Sequence, residues 1–208
     1  MRTFRRRLQL TLCLAASAGA DTLTGTFSFE ESPPSVALVY FSEDHSRSKA
    51  SKTVVEEKNK QFLEKMVVGA KGTEIVFKNS DSVEHDLYVN DPKTKVNSNA
   101  GVVSPGEVTR VAMNWDEGEV ARVGCKIHPR MQAYVANISS SHYAIVEFKS
   151  TDRKTGFKIE NIPEGLSRVR VWFPKHEAIE ADLKEGAMLS LPVAKGGKKD
   201  GDLSLSRR

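Results

Sequence analysis

A cysteine, a histidine and a methionine lie close together in the segment GCKIHPRM, residues 124–131. Cys125, His128 and Met131 follow one another with two residues between each pair. A thiolate, an imidazole and a thioether are donors that bind transition metals. The three residues by themselves leave two interpretations open, a metal site or a chance grouping at the edge of a hydrophobic strand.

The apolar segments on either side of this loop favour the first interpretation. GEVARVGC and MQAYVANI both read as strands, and side chains alternate between the two faces of a strand. Cys125 then shares a face with Ala121 and Val123, and Met131 with Ala133 and Val135. Pro129 fixes the backbone directly after His128. The alternation therefore predicts that Cys125 and Met131 point inward at the ends of two consecutive strands, with His128 on the loop between them.

His85 is the candidate for a fourth ligand, because it follows the polar loop KNSDSVE and opens the apolar segment HDLYV. Two imidazoles and one thiolate, with a thioether as a weak axial ligand, suit copper that cycles between Cu(I) and Cu(II). Zinc is the competing ion, although structural zinc sites prefer four strong ligands and rarely use methionine. Calcium and magnesium require oxygen ligands, so these residue types exclude them.

The first twenty residues have the pattern of a secretory signal peptide. MRTFRRRLQ is basic, and LTLCLAASAGA is a short apolar run that ends in small residues. The run is too short for a transmembrane helix, and no later segment reaches the required length. We therefore expect an exported, periplasmic protein with no transmembrane segment. Cys13 lies inside this signal, so Cys125 is the one cysteine of the remaining chain and has no partner for an internal disulfide.

Charge argues against nucleic acid as a partner. The chain carries 31 Lys and Arg against 27 Asp and Glu, but four of the arginines belong to the signal peptide. Removing those four leaves 27 basic residues, so the rest of the chain is formally neutral. The basic tail AKGGKKDGDLSLSRR contains no aromatic residue on which a base could stack.

Short alternating segments separated by turn signals such as NDPK, SPGE and WDEGE predict an all-β chain. We expect a β-sandwich over residues 21–139 and a small second β-sandwich over residues 140–193. Residues 194–208, rich in Gly, Lys and Ser, are expected to form a disordered tail.

FKNSDSVEH, followed by GCKIHPRM, resembles the cupredoxins, the blue copper proteins with a Greek-key β-sandwich fold. The short loop spacing is similar to that of amicyanins. The resemblance extends to bacterial exported proteins often called methylamine-utilisation proteins, with NKQF and GC-x-IH-x-x-M in common. In those proteins a small carboxypeptidase-regulatory-like β-domain follows, similar to TDRKTGFKIENIPEGLSRVRVW here. The likeness spans roughly residues 25–193.

This resemblance implies one type I copper ion held by His85, Cys125, His128 and Met131. It implies that Asn79 and Asp81 shape the ligand loop without touching the metal. Two positions depart from the family pattern. Asp86 stands where an Asn is common, and its carboxylate would favour Cu(II) if it points inward. Arg130 stands where an aromatic residue is usual, and it would favour an acidic redox partner.

The expected function is one-electron transfer between redox partner proteins. A copper-trafficking or copper-sensing module that holds and hands over Cu(I) is the alternative, and an interaction protein that scaffolds the second domain is a third hypothesis. We do not expect an enzyme, because four protein ligands leave no open coordination position for a substrate.

Overall fold

A computed structural model describes residues 21–47 and 53–208. The predicted signal peptide therefore lies outside the described residues. Within them the regular structure consists of 17 β-strands. In chain order these are β1 (Asp21–Phe29), β2 (Val36–Phe41), β3 (Thr53–Lys58), β4 (Gln61–Phe62), β5 (Met66–Gly69), β6 (Glu74–Asn79), β7 (His85–Asp91), β8 (Val96–Val103), β9 (Val108–Ala112), β10 (Val120–Cys125), β11 (Gln132–Asn137), β12 (Tyr143–Glu147), β13 (Lys154–Ile162), β14 (Arg168–Trp172), β15 (Ile179–Asp182), β16 (Met188–Lys195) and β17 (Lys198–Arg207). The prediction of an all-β chain with two sandwiches is confirmed.

The strands form four sheets. Sheet I has the order β4-β3-β6-β9, and sheet II the order β5-β11-β10-β7-β8. Sheet III has the order β12-β2-β14-β15, and sheet IV the order β13-β1-β17-β16. Two pairs, β3 with β6 and β5 with β11, are parallel, and the other pairs are antiparallel. Sheets I and II form the first sandwich, and sheets III and IV form the second.

Apolar side chains fill the space between successive sheets. The first core contains Phe77 from sheet I and Val123 from sheet II. The second core contains Phe41 from sheet III and Phe27 from sheet IV. A third cluster lies between the two sandwiches, where Tyr40 and other side chains of β2 meet those of β5, β10 and β11. Several strands, among them β2, β10 and β11, therefore contribute side chains to cores on both of their faces.

Strand β2 shows the consequence in its sequence, because all six residues of VALVYF are buried. Val36, Leu38 and Tyr40 face the first sandwich, while Ala37, Val39 and Phe41 face the second core. A strand covered on both faces reads as a continuous apolar run rather than as an alternating one.

The expectation that the first sandwich begins at residue 21 is wrong. Strand β1 pairs with β13 and β17, and β2 pairs with β12 and β14. Both N-terminal strands therefore belong to the second sandwich, and the first sandwich begins with β3. The pairing joins residues distant in sequence, such as Leu23 with Arg207, and local patterning carries no information on partners at that separation.

The expectation of a disordered tail is also wrong. Residues 198–207 form β17, which lies between β1 and β16 in sheet IV. Leu203 and Leu205 point into the second core, while Ser204 is exposed. The Arg207 guanidinium is buried and paired with Asp21 at 2.9 Å. The alternation LSLSR is a strand pattern. The expectation of disorder rested on the Gly, Lys and Ser content of the tail and did not take this alternation into account.

Among the described residues, no helix has the length and apolarity needed to cross a membrane.

The placement of β17 can be tested with a pair of substitutions. Leu203→Ala removes a fully buried side chain and is expected to lower the free energy of unfolding by about 2–5 kcal/mol. Ser204→Ala, the exposed neighbour, is expected to change it by no more than about 0.5 kcal/mol. Chemical denaturation of both variants measures the difference. Equal stability of the two would show that the segment does not pack.

Candidate metal centre

Three potential ligands converge at one end of the first sandwich. His85 opens β7, Cys125 ends β10, and His128 lies on the loop between β10 and β11. The Sγ of Cys125 lies 3.8 Å from His85 Nδ1 and 3.7 Å from His128 Nδ1, and the two Nδ1 atoms are 3.1 Å apart. The three donor atoms therefore form a small triangle.

The size of this triangle fits a transition metal. A trigonal ion about 2.1 Å from a nitrogen and about 2.3 Å from a sulfur separates those two ligand atoms by roughly 3.8 Å. The nitrogen–nitrogen distance of 3.1 Å corresponds to an angle of roughly 95–100° at such an ion. One thiolate and two imidazoles form a donor set suited to copper or zinc.

Strand geometry explains why Cys125 takes part. Strand β10 places Ala121, Val123 and Cys125 in the first core, which is the alternation expected from the sequence. Cys125 is 2% exposed and is a free thiol. A buried thiol without a partner is available to a metal and shielded from other reactants.

Gly124 lets the aromatic ring of Tyr88 lie against the strand beside Cys125. Tyr88 is the register partner of Gly124, and a Cβ atom at position 124 would overlap the Tyr88 ring and hydroxyl. Arg122 covers the same ring from 5.5 Å and donates a hydrogen bond to its hydroxyl. The glycine of the GC pair is therefore explained by the close approach of a side chain from β7.

His85 is completely buried, at 0% exposure. Burial lowers its pKa, and the neighbouring His128 lowers it further, while Asp81 opposes both effects. A neutral imidazole is the form that binds a metal. The Asp81 Oδ2 lies 3.4 Å from His85 Nε2, on the side of the ring away from Nδ1. A carboxylate behind a ligating histidine orients the ring.

Asn79 holds the loop that carries His85. Its side-chain amide donates to the carbonyl oxygens of Val83 and Val103, both at 2.8 Å. Its Oδ1 accepts from the backbone N–H of Asp81, also at 2.8 Å. Asn79 is fully buried, so these bonds are shielded from water. The role of Asn79 and Asp81 in shaping the loop, expected from the resemblance, agrees with these contacts.

Met131 lies immediately before β11 and is 3% exposed. It belongs to the same core as Cys125, and its backbone N–H donates to the His128 carbonyl at 2.9 Å, which closes the ligand loop. The side chain thus faces inward at the same end of the sandwich, as its strand position predicts.

Asp86 and Arg130, the two departures from the family pattern, both lie at the surface. The Asp86 carboxylate is paired with Lys126 Nζ at 3.0 Å on the outer face of sheet II, and so does not point toward the ligands. Arg130 is exposed and lines an open cleft with Lys60 and Lys65, beside Met131. The lining residues of this cleft are Asn59, Lys60, Gln61, Phe62, Lys65, Arg130, Met131 and Gln132.

Glu57 was not predicted from the sequence; it is fully buried and is the register partner of Asn79 in sheet I. The signal was present in TVVEEK, because Thr53, Val55 and Glu57 alternate on the inward face of β3. A carboxylate at such a position rarely occurs without a partner.

Comparisons with known proteins return structural likeness only. No protein-family model matches the chain, and no curated protein sequence does. A purple cupredoxin from Nitrosopumilus maritimus is 20% identical over 42% of this chain and 98% of its own, with a TM-score of 0.36. Amicyanin from Paracoccus versutus is 15% identical over 53% of this chain and 96% of its own, with a TM-score of 0.37.

A copper-containing nitrite reductase from Thermus scotoductus is 21% identical over 41% of this chain, with a TM-score of 0.37, and the match covers 22% of that enzyme. We draw no functional conclusion from likeness of this degree.

The role of Asn79 gives a second prediction. Asn79→Ala removes the side-chain hydrogen bonds to two carbonyl oxygens and to the Asp81 N–H, and we expect the free energy of unfolding to fall by about 1–3 kcal/mol. Asn97→Ala, at an exposed position of β8, is the control and should change stability by less than about 0.5 kcal/mol. If Asn79→Ala is as stable as the control, the ligand loop is held by other contacts.

Proposed function

We propose that this chain is a type I copper protein that carries single electrons between redox partner proteins. One observation supports the proposal above all others, the convergence of His85 Nδ1, Cys125 Sγ and His128 Nδ1 on one point. Met131, which belongs to the same core as Cys125, is the proposed axial ligand. When bound, copper would supply a one-electron Cu(I)/Cu(II) couple to this site.

Met131, the fourth candidate ligand, favours copper over zinc. A thioether is a weak ligand that tolerates both oxidation states of copper, whereas structural zinc sites complete their tetrahedron with a strong donor. Within the described residues, the cluster of potential ligands consists of His85, Cys125 and His128, and no further His, Cys, Asp or Glu belongs to it. A fourth strong donor for zinc is therefore missing from this cluster.

The protein's own contribution is to hold the donors in a fixed, dry arrangement. Asn79 ties the His85 loop to the end of β8, and Asp81 lies behind the His85 ring. Cys125 is held by pairing of β10 with β7 and β11. Ligands that move little between oxidation states keep the cost of reorganisation low, and this is the requirement for fast electron transfer.

The proposed route for the electron is the loop that carries His128. His128 is half-buried, in contrast to the fully buried His85. The neighbouring Ile127 is 52% exposed and offers an apolar contact next to the histidine. Lys60, Lys65 and Arg130 around the adjacent cleft favour a redox partner with an acidic docking surface.

The proposal includes export to the periplasm, which rests on the signal-like pattern of residues 1–20. It includes no catalytic conversion, because four protein ligands would leave no coordination position for a substrate.

The proposal predicts a visible colour. Purified protein loaded with Cu(II) should absorb strongly in the visible range through charge transfer from the Cys125 thiolate to copper. Cys125→Ser should lose this band, whereas Met131→Leu should keep it because three strong ligands remain. Absorption spectroscopy and metal analysis measure the outcome. A wild-type protein that stays colourless and binds no copper would refute the proposal.

Electrochemistry of the same samples separates electron transfer from copper trafficking. A reversible couple with fast self-exchange supports the proposed function. Strong retention of Cu(I), together with transfer of the ion to a competing Cu(I) chelator or protein, supports the trafficking alternative instead.

Charge reversal at the cleft tests the docking surface. Arg130→Glu should slow oxidation of the reduced protein by anionic ferricyanide several-fold at low salt, because it weakens electrostatic attraction next to His128. It should speed oxidation by a cationic cobalt complex. Lys184→Glu, an equal charge change at an exposed site of the second sandwich, is the control. Stopped-flow rates that respond equally to both variants would exclude Arg130 from the docking surface.

A further inference from the structure

Glu57 is a buried acid with no visible partner. The residue is 0% exposed, and within residues 21–47 and 53–208 neither of its carboxyl oxygens has a hydrogen-bond partner. Acidic side chains almost never occupy such positions unless they are paired, because transfer of the charged form from water is costly. Burial raises the pKa of Glu57 to about 8. The carboxyl is therefore a neutral acid at pH 7.

The position of Glu57 connects it to the candidate metal centre. In sheet I, Glu57 is the parallel register partner of Asn79, the residue that holds the His85 loop. The Glu57 carbonyl accepts a hydrogen bond from Ser80 N–H at 2.9 Å. The next turn, between β3 and β4, is joined to the same loop because Lys60 N–H donates to Asp81 Oδ2.

The charged groups around Glu57 oppose its ionisation rather than support it. Glu56 on the same strand and Glu64 after β4 are both acidic and raise its pKa further. Lys78 on β6 is paired with Glu56 at 3.0 Å. Asp81, on the loop after β6, accepts a hydrogen bond from the backbone N–H of Lys60 at the β3–β4 turn. Within the described residues, no ion pair involves the Glu57 carboxyl. A new positive charge in the interior would therefore be the interaction that favours its ionised form.

We propose that Glu57 is a redox-linked proton site, protonated when the copper is reduced and ionised when it is oxidised. The inference rests on the proposed function. With copper held by the ligand residues, loss of one electron to the redox partner would be accompanied by loss of the Glu57 proton to water, so that the Glu57 acid becomes a carboxylate as Cu(I) becomes Cu(II). A positive charge added at the metal would stabilise the Glu57 carboxylate, because the side chain is fully buried and an electrostatic attraction is screened less in a protein interior than in water.

The midpoint potential measured against pH tests this coupling. Since the oxidised form has lost a proton, rising pH favours it, and the potential should fall as the pH passes through the region where Glu57 titrates. Glu57→Gln keeps the shape of the side chain and removes the proton, so its potential should be constant over that range. Glu56→Gln makes the same substitution on the other face of β3 and should keep the wild-type slope.

A second measurement reads the carboxyl directly. The redox difference infrared spectrum of the wild type should show loss of a protonated carboxylic acid band on oxidation, and Glu57→Gln should lack this band.

The stability of the apo-protein against pH gives a third readout. Because the folded state keeps a proton that the unfolded state releases from about pH 4.5 upward, wild-type stability should fall between about pH 4.5 and 8 relative to Glu57→Gln.

Two outcomes separate this proposal from the proposed function. A coloured, redox-active protein whose potential does not depend on pH, or depends on it equally in Glu57→Gln, overturns the proton linkage and leaves electron transfer intact. A wild-type chain that binds no copper overturns both.

Discussion

Sheet II joins the two sandwiches, because β11 and the adjoining end of β10 are buried on both of their faces. Its inward face carries Val123, Cys125 and Val135 in the first core. Its outward face carries Val120, Tyr134 and Ala136 against the second sandwich. Strand β2 has the same double role in sheet III. The two sandwiches are therefore parts of one packed stack, in which apolar surface that either sandwich alone would expose is removed from water.

The order of the strands in sheet II has a direct consequence for the metal centre. Strand β10 lies in the interior of sheet II, with β7 on one side and β11 on the other. Cys125 at its end is consequently held by a backbone with partners on both sides. His85 gains a similar restraint from the two carbonyl contacts of Asn79. His128 lies on a loop and is half-buried, so it can be approached from solvent, whereas His85 is held rigidly in the interior.

The surface and the interior use charge in opposite ways. Asp86 and Lys126 neutralise each other on the outer face of sheet II, whereas Lys60, Lys65 and Arg130 leave the cleft beside Met131 basic. Inside the sandwich, burial raises the pKa of Glu57 to about 8, and no ion pair within the described residues involves its carboxyl. Water screens the surface charges, but the buried acid responds to any charge placed nearby.

Local features could be predicted from the amino-acid sequence: the alternation of strands, the inward positions of Cys125 and Met131, and His85 as a candidate distant ligand. The first two follow from periodicity two and from a short loop, both of which are local, and His85 is a candidate because a polar loop precedes its apolar strand. The partners of β1 and β17 were decided only by the tertiary structure, since Leu23 and Arg207 come from opposite ends of the chain. The burial of the Glu57 carboxyl without a hydrogen-bond partner among the described residues also follows from the fold, because it depends on which side chains lie around Glu57 in space. Strand pattern depends on neighbours in the chain, whereas burial, pairing and pKa depend on neighbours brought together by folding.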